Sequence, residues 1–482
     1  MKPARMAGAM ALLGSALLSA CAAVGPDYVR PATEVPVAYK EQQGWKLIAP
    51  QDTHDRGPWW SVYHDPVLDG LEQQVEVSNQ NLKAAEAAFR QARAAVEAAR
   101  AAFFPTVSAS AGATRSGMAN GTSPGQQGNV APTVQNSYNL GLGASWEPDI
   151  WGKIRRTVES SAANAQVSAA DLANARLSAQ AALATDYFEL RVEDELKRLL
   201  DDTAAAFAKT LAITQNQYEA GFAAQADVIT AQTQLQTTQA QAIGVGVTRA
   251  QLEHAIAVLT GKPPAEFSLA PAPLTMEVPA IPAGLPSTLL ERNPAIAAAE
   301  RAVAASNAQI GVALSAYYPD ITLSASFGFA ATALGSLLQA SNSLWSLGPS
   351  VTQTLFDGGA RRAQVDEARA AYDQSVANYR QAVLSAFQQV EDQLAALRIL
   401  EQQLDAQNQA VRLAQRAVQL TINQYQAGTV PYTSVVTAQA TALADEQAAL
   451  TIRENRLVAS VALIEALGGG WNVAQLPEVT SK

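Results

Sequence analysis

A chain of 482 residues suggests roughly three domains at about 150 residues each, but alanine supplies about a fifth of it and charged residues only 16 %. That composition favours close approach of backbones through small side chains over several bulky cores. A net charge of −10 argues against a nucleic-acid surface, which needs clustered Lys and Arg. One cysteine excludes an internal disulfide, and three scattered histidines argue against a zinc site.

Residues 1–20 have the layout of a signal peptide, with Lys2 and Arg5 ahead of an apolar core from Ala7 to Leu18. The apolar stretch is too short to span a bilayer, and no run of eighteen apolar residues comes after it. Leu18-Ser19-Ala20-Cys21 resembles the bacterial lipobox. The resemblance implies cleavage before Cys21, lipid on its thiol and, with Ala at 22 and 23, sorting to the outer membrane. The chain's single cysteine stands where lipidation needs it. Several acyl chains on one residue anchor stably where one would not.

Beyond a lipidated segment over 21–65, the chain repeats itself. Asn216-Gln-Tyr218-Glu-Ala-Gly221 recurs as Asn423-Gln-Tyr425-Gln-Ala-Gly428 at an offset of 207, and Thr230-Ala-Gln232 as Thr437-Ala-Gln439. Gly261 and Gly468 match at the same offset; Phe103-Phe-Pro105 and Asn79 match Tyr317-Tyr-Pro319 and Asn293 at 214. Arg155-Arg156 pairs with Arg361-Arg362 at 206. Two repeats over 66–262 and 287–468 are therefore joined by a Pro-rich linker, 263–286, with a tail from 469 to 482.

Each repeat reads helix, two strands, long helix, return helix. The first helices are expected over 66–103 and 287–317. Period-two alternation comes next, at 138–146 (Tyr138, Leu140, Leu142, Ala144, Trp146) and 320–329 (Ile321, Leu323, Ala325, Phe327, Phe329). It is weaker at 106–113 and 345–355, where Gln353 breaks it. Loops are expected at about 115–135 and 331–343. Strands of about ten residues with one apolar and one small polar face suit a membrane barrel, with Phe103, Trp146, Tyr318 and Trp345 near the interfaces. Four strands cannot close a barrel, which needs at least eight, so the chain is expected to oligomerise.

The long helices are expected to start at Asp149 and Asp357, each well placed as an N-cap, and to end at Gly221 and Gly428, as C-cap glycines do. At 1.5 Å per residue each reaches roughly 100 Å. In the second, Tyr372, Val376, Tyr379, Val383, Phe387, Val390, Leu394 and Leu397 form a coiled-coil seam. Two shorter helices end to end match one long one in length.

This order of elements, with Val24-Gly-Pro-Asp-Tyr-Val-Arg-Pro31, the stretch from Trp60 to Leu71, and Tyr-x-x-Gly twice, resembles the TolC-like outer membrane factors. The lipoprotein branch typified by OprM and NodT is the most similar. The resemblance implies a homotrimer, with a 12-stranded outer-membrane barrel continued by a periplasmic α-helical coiled-coil tunnel and a mixed equatorial region formed by the N-terminal (21–65), linker and C-terminal segments. It further implies an exit duct of a tripartite efflux pump, working with a periplasmic adaptor and a resistance-nodulation-division transporter of the inner membrane. The tip residues Tyr218, Gly221, Tyr425 and Gly428 would dock the adaptor. Relatives often carry acidic residues after the second tip; here Ser434 and Thr437 stand there, and Asp227 is the nearby carboxylate of the aperture. Either Tyr218, Tyr425 and Asp227 hydrogen-bond between helices to close it, or Asp227 is solvated and the tyrosines merely pack.

His54 and His64 near Asp55 and Asp65, and His254 alone, give no catalytic or metal-binding spacing. No catalytic residue, cofactor, metal or nucleic-acid partner is expected beyond the covalent lipid on Cys21. A type I protein-secretion duct and a structural surface lipoprotein are the competing readings; matched strand pairs in both repeats speak against the second.

Overall fold

The computed structural model describes residues 23–42, 58–118, 133–281, 284 and 286–478. Cys21, His54 and Asp55 lie outside them. In chain order the first repeat contains α1 (Pro66–Ser78), α2 (Gln80–Ala101), β1 (Thr106–Met118), β2 (Thr133–Trp146), α3 (Lys153–Glu219) and α4 (Gln225–Leu259). The second contains α5 (Pro286–Arg292), α6 (Pro294–Ser315), β3 (Asp320–Ala331), β4 (Ser343–Thr352), α7 (Ala360–Gln426) and α8 (Tyr432–Ala466). Among the described residues no helix is long and apolar enough to cross a membrane.

The expected helices over 66–103 and 287–317 are each two helices. Asn79 and Asn293 break them, in extended conformations, and cap α2 and α6. The Asn79 side chain accepts from the Asn81 and Leu82 N–H groups, and Asn293 from Ala295 and Ile296. Each amide also donates to the end of a return helix, Asn79 to Leu259 O at 2.9 Å and Asn293 to Ala466 O at 3.2 Å. One side chain thus ends α4 and starts α2, and another ends α8 and starts α6. The short helices meet end to end beside α3 and α7, which are 67 residues each.

The long-helix caps depart from expectation in a similar way. The N-cap positions are Gly152 (φ 79°) and Gly359 (φ 96°), which take left-handed conformations open to glycine. Asp149 and Asp357 act from upstream. Asp149 accepts from the Ile154 and Arg155 N–H groups at 2.8 and 3.0 Å, and Asp357 from Gly359 and Arg361 at 3.0 and 3.2 Å. Each is also paired with an arginine, Arg155 or Arg361. The Arg361 guanidinium, with those backbone donors, holds the Asp357 carboxyl below its usual range.

The strands form one antiparallel sheet in the order β1-β2-β3-β4. They outrun the expected limits at several ends: residues 114–118 pair with 133–137 although their side chains do not alternate. Backbone pairing continues through a mixed run, Thr114-Arg-Ser-Gly-Met118 against Thr133-Val-Gln-Asn-Ser137, that gives no alternating hydrophobic signal. β4 stops at Thr352, just before Gln353. The register sorts the side chains by face. Ala109, Leu142, Phe327 and Trp345 lie in one row, and Val107, Ala144, Ala325 and Leu347 in the next. On the other face Ser108, Gly143, Ser326 and Ser346 align, the last two hydroxyls 2.8 Å apart.

The core lies below the sheet. Tyr187, Phe188 and Leu190 of α3 pack there with Tyr379, Val383, Phe387, Val390, Leu394 and Leu397 of α7, the expected seam. Tyr372 and Val376 pack at its edge. Within it Glu72 of α1 is 0 % exposed, and among the described residues neither carboxylate oxygen has a hydrogen-bond partner. Burial, with a smaller contribution from the Asp69 charge, pushes its carboxyl from 4.5 to about 9. The unfolded chain therefore loses this proton near pH 4.5, while the folded chain keeps it to about pH 9. Stability falls as pH rises between these values. Glu72→Gln, which mimics the protonated form, is expected to leave thermal stability unchanged at pH 4.5 and to raise it at pH 7.5, by as much as about 4 kcal/mol. Equal melting shifts at both pH values, read by circular dichroism, would contradict this.

Candidate functional site

Two ends of the molecule concentrate the singled-out residues: the helical tip and the base of the sheet. At the tip α3 turns into α4 and α7 into α8. Both turns are Schellman motifs. Phe222 N–H donates to Gln217 O and Gly221 N–H to Tyr218 O; Thr429 and Gly428 repeat the pattern onto Gln424 and Tyr425. Gly221 and Gly428 have φ of +81° and +73°, where a β-carbon costs about 1 kcal/mol or more. Open space surrounds both positions.

The two tips are not equivalent. Tyr218 is 45 % exposed and Tyr425 6 %. Tyr425 packs on Tyr432 with ring centroids 5.4 Å apart, and Ala231 and Val435 complete the small core of the tip. Gln217 donates to Tyr425 O at 3.5 Å, joining one hairpin to the other. Burial, then the neighbouring Tyr425 and the Asp227 carboxylate, push the Tyr432 phenol up to about 12. Asp227 is half-buried and accepts from the Ala224 N–H at 3.3 Å, capping its own helix. Ser434 is half-buried, and exposed Thr437 donates to Thr433 O. Tyr432 escaped the sequence reading because Gln225 stands at its repeat position.

At the base, Trp146 donates to Phe103 O and Trp151 to Pro319 O, and Trp151 stacks on Tyr318. The residues around them are exposed: Phe104, Tyr317, Leu355 and Phe356, the last at 89 %. Here too the Val24-Gly-Pro-Asp-Tyr motif is seated. Val24 N–H donates to Trp151 O, and the buried Arg156 donates to Val24 O, Gly25 O and the Asp27 carboxylate at 2.9–3.2 Å. Asn307 donates to Pro26 O, and Tyr28 to the Glu300 carboxylate. Gly25 crosses α6 at Gly311, where a β-carbon on Gly25 would come within 2.5 Å of the Gly311 Cα. Arg156 was visible as half of a repeated Arg-Arg pair; its grip on the N-terminal segment was not.

His64 is exposed, with a left-handed φ of 53°, and His254 is exposed on α4. Asp65 caps α1 and accepts from the Tyr187 hydroxyl at 2.8 Å. Among the described residues no three His, Cys, Asp or Glu side chains converge as metal ligands would.

The sequence model of the outer membrane efflux protein family matches residues 71–262 and 285–469, both repeats. The chain belongs to this family. It is 32 % identical to the pyoverdine export outer membrane protein OpmQ of Pseudomonas aeruginosa over 96 % of this chain and 98 % of that one. It is 31 % identical to the toluene efflux pump outer membrane protein TtgC of Pseudomonas putida, over 94 % of both. The solved structure of the outer-membrane channel OprN superposes with a TM-score of 0.85 at 29 % identity, covering 93 % of this chain and 99 % of OprN. The fold is thus that of the TolC-like outer membrane channels.

The seat of the N-terminal motif carries its own prediction. Arg156→Met removes several charge-assisted hydrogen bonds, each worth about 1.5–3 kcal/mol, while keeping much of the side-chain volume. Limited proteolysis of the purified protein is expected to cut within residues 23–42 at least tenfold faster. An unchanged rate would show that Gly25, Asn307 and Tyr28 hold the segment without it.

Proposed function

We propose that the protein is the outer-membrane exit duct of an efflux pump, built as a homotrimer with a 12-stranded barrel. The observation that carries this reading is the four-stranded sheet. Its register puts most of the large apolar side chains on one face, with Arg115 and Asn136 at its far end, and mostly Ser, Thr and Gly on the other, with Asn139 and Leu344 among them; among the described residues β1 and β4 leave unpaired edges. In lipid an open strand edge is not tolerated. Trp345 and Leu347, both 76 % exposed on the apolar face, suit contact with acyl chains. Strands of 10 to 14 residues suffice for a tilted span. Three copies supply twelve strands, and six long helices continue them as a tunnel roughly 100 Å deep.

The anchored N-terminus fits the same arrangement. Val24 is tied to Trp151 at the base of the sheet. Three residues of chain span at most about 10 Å, which supports an acyl anchor at Cys21 acting near this end of the protein. Relatives of nearly equal identity carry pyoverdine in one name and toluene in the other. That supports selection of cargo upstream, by an inner-membrane transporter of the resistance-nodulation-division kind and its periplasmic adaptor. The adaptor would meet the tip around Gly221 and Gly428.

Native mass spectrometry of the detergent-purified protein is expected to give a threefold species. Its N-terminal peptide should begin at an acylated Cys21. A stable monomer would remove the barrel from this proposal, and a free Cys21 thiol would remove the anchor.

Gly428→Trp, and more weakly Gly221→Trp, should leave trimer and outer-membrane location intact while abolishing pump-dependent export. Normal export at equal abundance would contradict docking at the tip. Loss of the trimer would show that these glycines serve folding instead.

A further inference from the structure

The two faces of the sheet differ in charge as well as in polarity. The four strands hold two charged residues, Asp320 and Arg115. Asp320 stands at the base, on the face of small polar residues, opposite Thr352. Arg115 stands at the other end of the sheet and on the apolar face, in line with Ala109, Ala111 and Ala113 of β1. It lies opposite Asn136 of β2, with Tyr138 one row nearer the base. Arg115 and Asn136 are exposed and Tyr138 is half-buried. Among the described residues Arg115 has no hydrogen-bond or ion-pair partner.

Its height on the sheet is informative. Arg115 is nine residues beyond Thr106, which directly follows Phe103-Phe-Pro105 at the base. Nine residues of strand rise about 30 Å, which at a tilt of roughly 35–45° is about 21–25 Å along the membrane normal. The apolar band of an outer-membrane barrel is about 25 Å tall, so the guanidinium reaches its far rim. A charge on the lipid face is expensive at the midplane and cheap there. The loop between β3 and β4 marks the same level. It leaves the sheet at Ala331, in the row of Tyr138, and keeps Leu334 and Leu338 exposed. The Asn342 side chain donates to Ser336 O at 2.7 Å and fixes its shape. Large apolar surface thus continues up to the row of Tyr138. Arg115 comes one row later, and past it this face of the strands holds Gly117 and Val134.

We propose that Arg115, with Asn136 beside it, binds the phosphate of a phosphorylated glycolipid in the outer leaflet of the outer membrane. The proposal rests on the barrel reading above, which turns the apolar face to lipid. A guanidinium is a planar fork that meets a phosphate with two parallel hydrogen bonds, and the Asn136 amide adds a donor. The surface below Arg115 selects a lipid over a free anion. Ala109, Ala111 and Ala113 form a shallow strip toward the base, bordered by the exposed Leu140 and Leu142 of β2. An acyl chain laid along that strip holds its headgroup at the guanidinium. The leaflet follows from topology, since the long helices and the N-terminal segment all leave from the opposite end of the sheet.

Native mass spectrometry of the detergent-purified protein tests this, with a bisphosphorylated, acylated glucosamine disaccharide as the added lipid. Arg115→Gln, at an exposed position, is expected to assemble as the wild type does and to bind this lipid at least tenfold more weakly. Arg115→Lys keeps the charge without the fork and should fall between. The same glycolipid stripped of its phosphates should bind the wild type as weakly as the intact lipid binds Arg115→Gln. Equal binding by wild type and Arg115→Gln, or undiminished binding of the phosphate-free lipid, would overturn the proposal. Phosphatidylglycerol bound as tightly as the glycolipid would overturn the assignment to the outer leaflet. Quenching of Trp345 fluorescence by brominated acyl chains, with Trp345→Phe as the blank, reports separately whether the apolar face meets lipid. Quenching without Arg115-dependent binding removes this proposal and leaves the barrel standing; absence of quenching removes both.

Discussion

The long helices outrun their return helices by about twofold, 67 residues against 35. A second short helix must therefore continue each return helix up to the sheet, and two helix ends must meet inside the wall. Helix ends carry unpaired carbonyls on one side of such a joint and unpaired N–H groups on the other. Asparagine is the side chain that answers both, with an acceptor and a donor on one amide. Asn79 and Asn293 use both, and both are buried. The joint also demands a tight turn, for which Gly261 and Gly468 take positive φ. A β-carbon there would fall within 2.3 Å of Ser78 O or 2.0 Å of Arg292 O. The wall is continuous because these four residues let its pieces abut.

Much of this was readable in the sequence, for definite reasons. The α7 seam repeats at threes and fours because the same face meets the core for more than six turns. The strand faces were readable at β2 and β3, where large apolar residues alternate with Gly and Ser. The extra length of β1 was not, since Thr114, Ser116 and Gly117 pair through backbone and leave no hydrophobic trace. Asn79 was visible as the partner of Asn293 in the repeat, yet a single Asn in an Ala-rich run costs a helix too little to mark a break. Asp149 and Asp357 are legible as capping residues but not as lying upstream of the N-cap, because the capping oxygen reaches past a glycine that the backbone needs for its positive φ.

The tip shows the limit of reading one repeat from the other. Tyr218 and Tyr425 share a motif but not an environment: Tyr425 finds Tyr432, whereas the matching Gln225 offers Tyr218 no ring. A motif repeated in sequence fixes the turn, which is local. The burial of the tyrosine depends on a residue seven positions further on.

Duplication also explains which arginines are occupied. The repeat supplies Arg156 and Arg362 at equivalent helix starts, but the chain has one N-terminal segment to hold. Arg156 is buried against it; Arg362 is 85 % exposed and, among the described residues, reaches only Asp366, at 3.9 Å. The groove is single for the same reason: Gly311 admits Gly25, whereas Glu97 stands at its counterpart in α2. At the next level down there are two connections to secure, the N-terminal segment and the linker, and there both arginines of a matched pair are engaged: Arg191 donates to Ala270 O of the linker, and Arg398 binds Glu41. A duplicated scaffold offers every attachment point twice, and the number of non-helical segments passing each level decides how many are used.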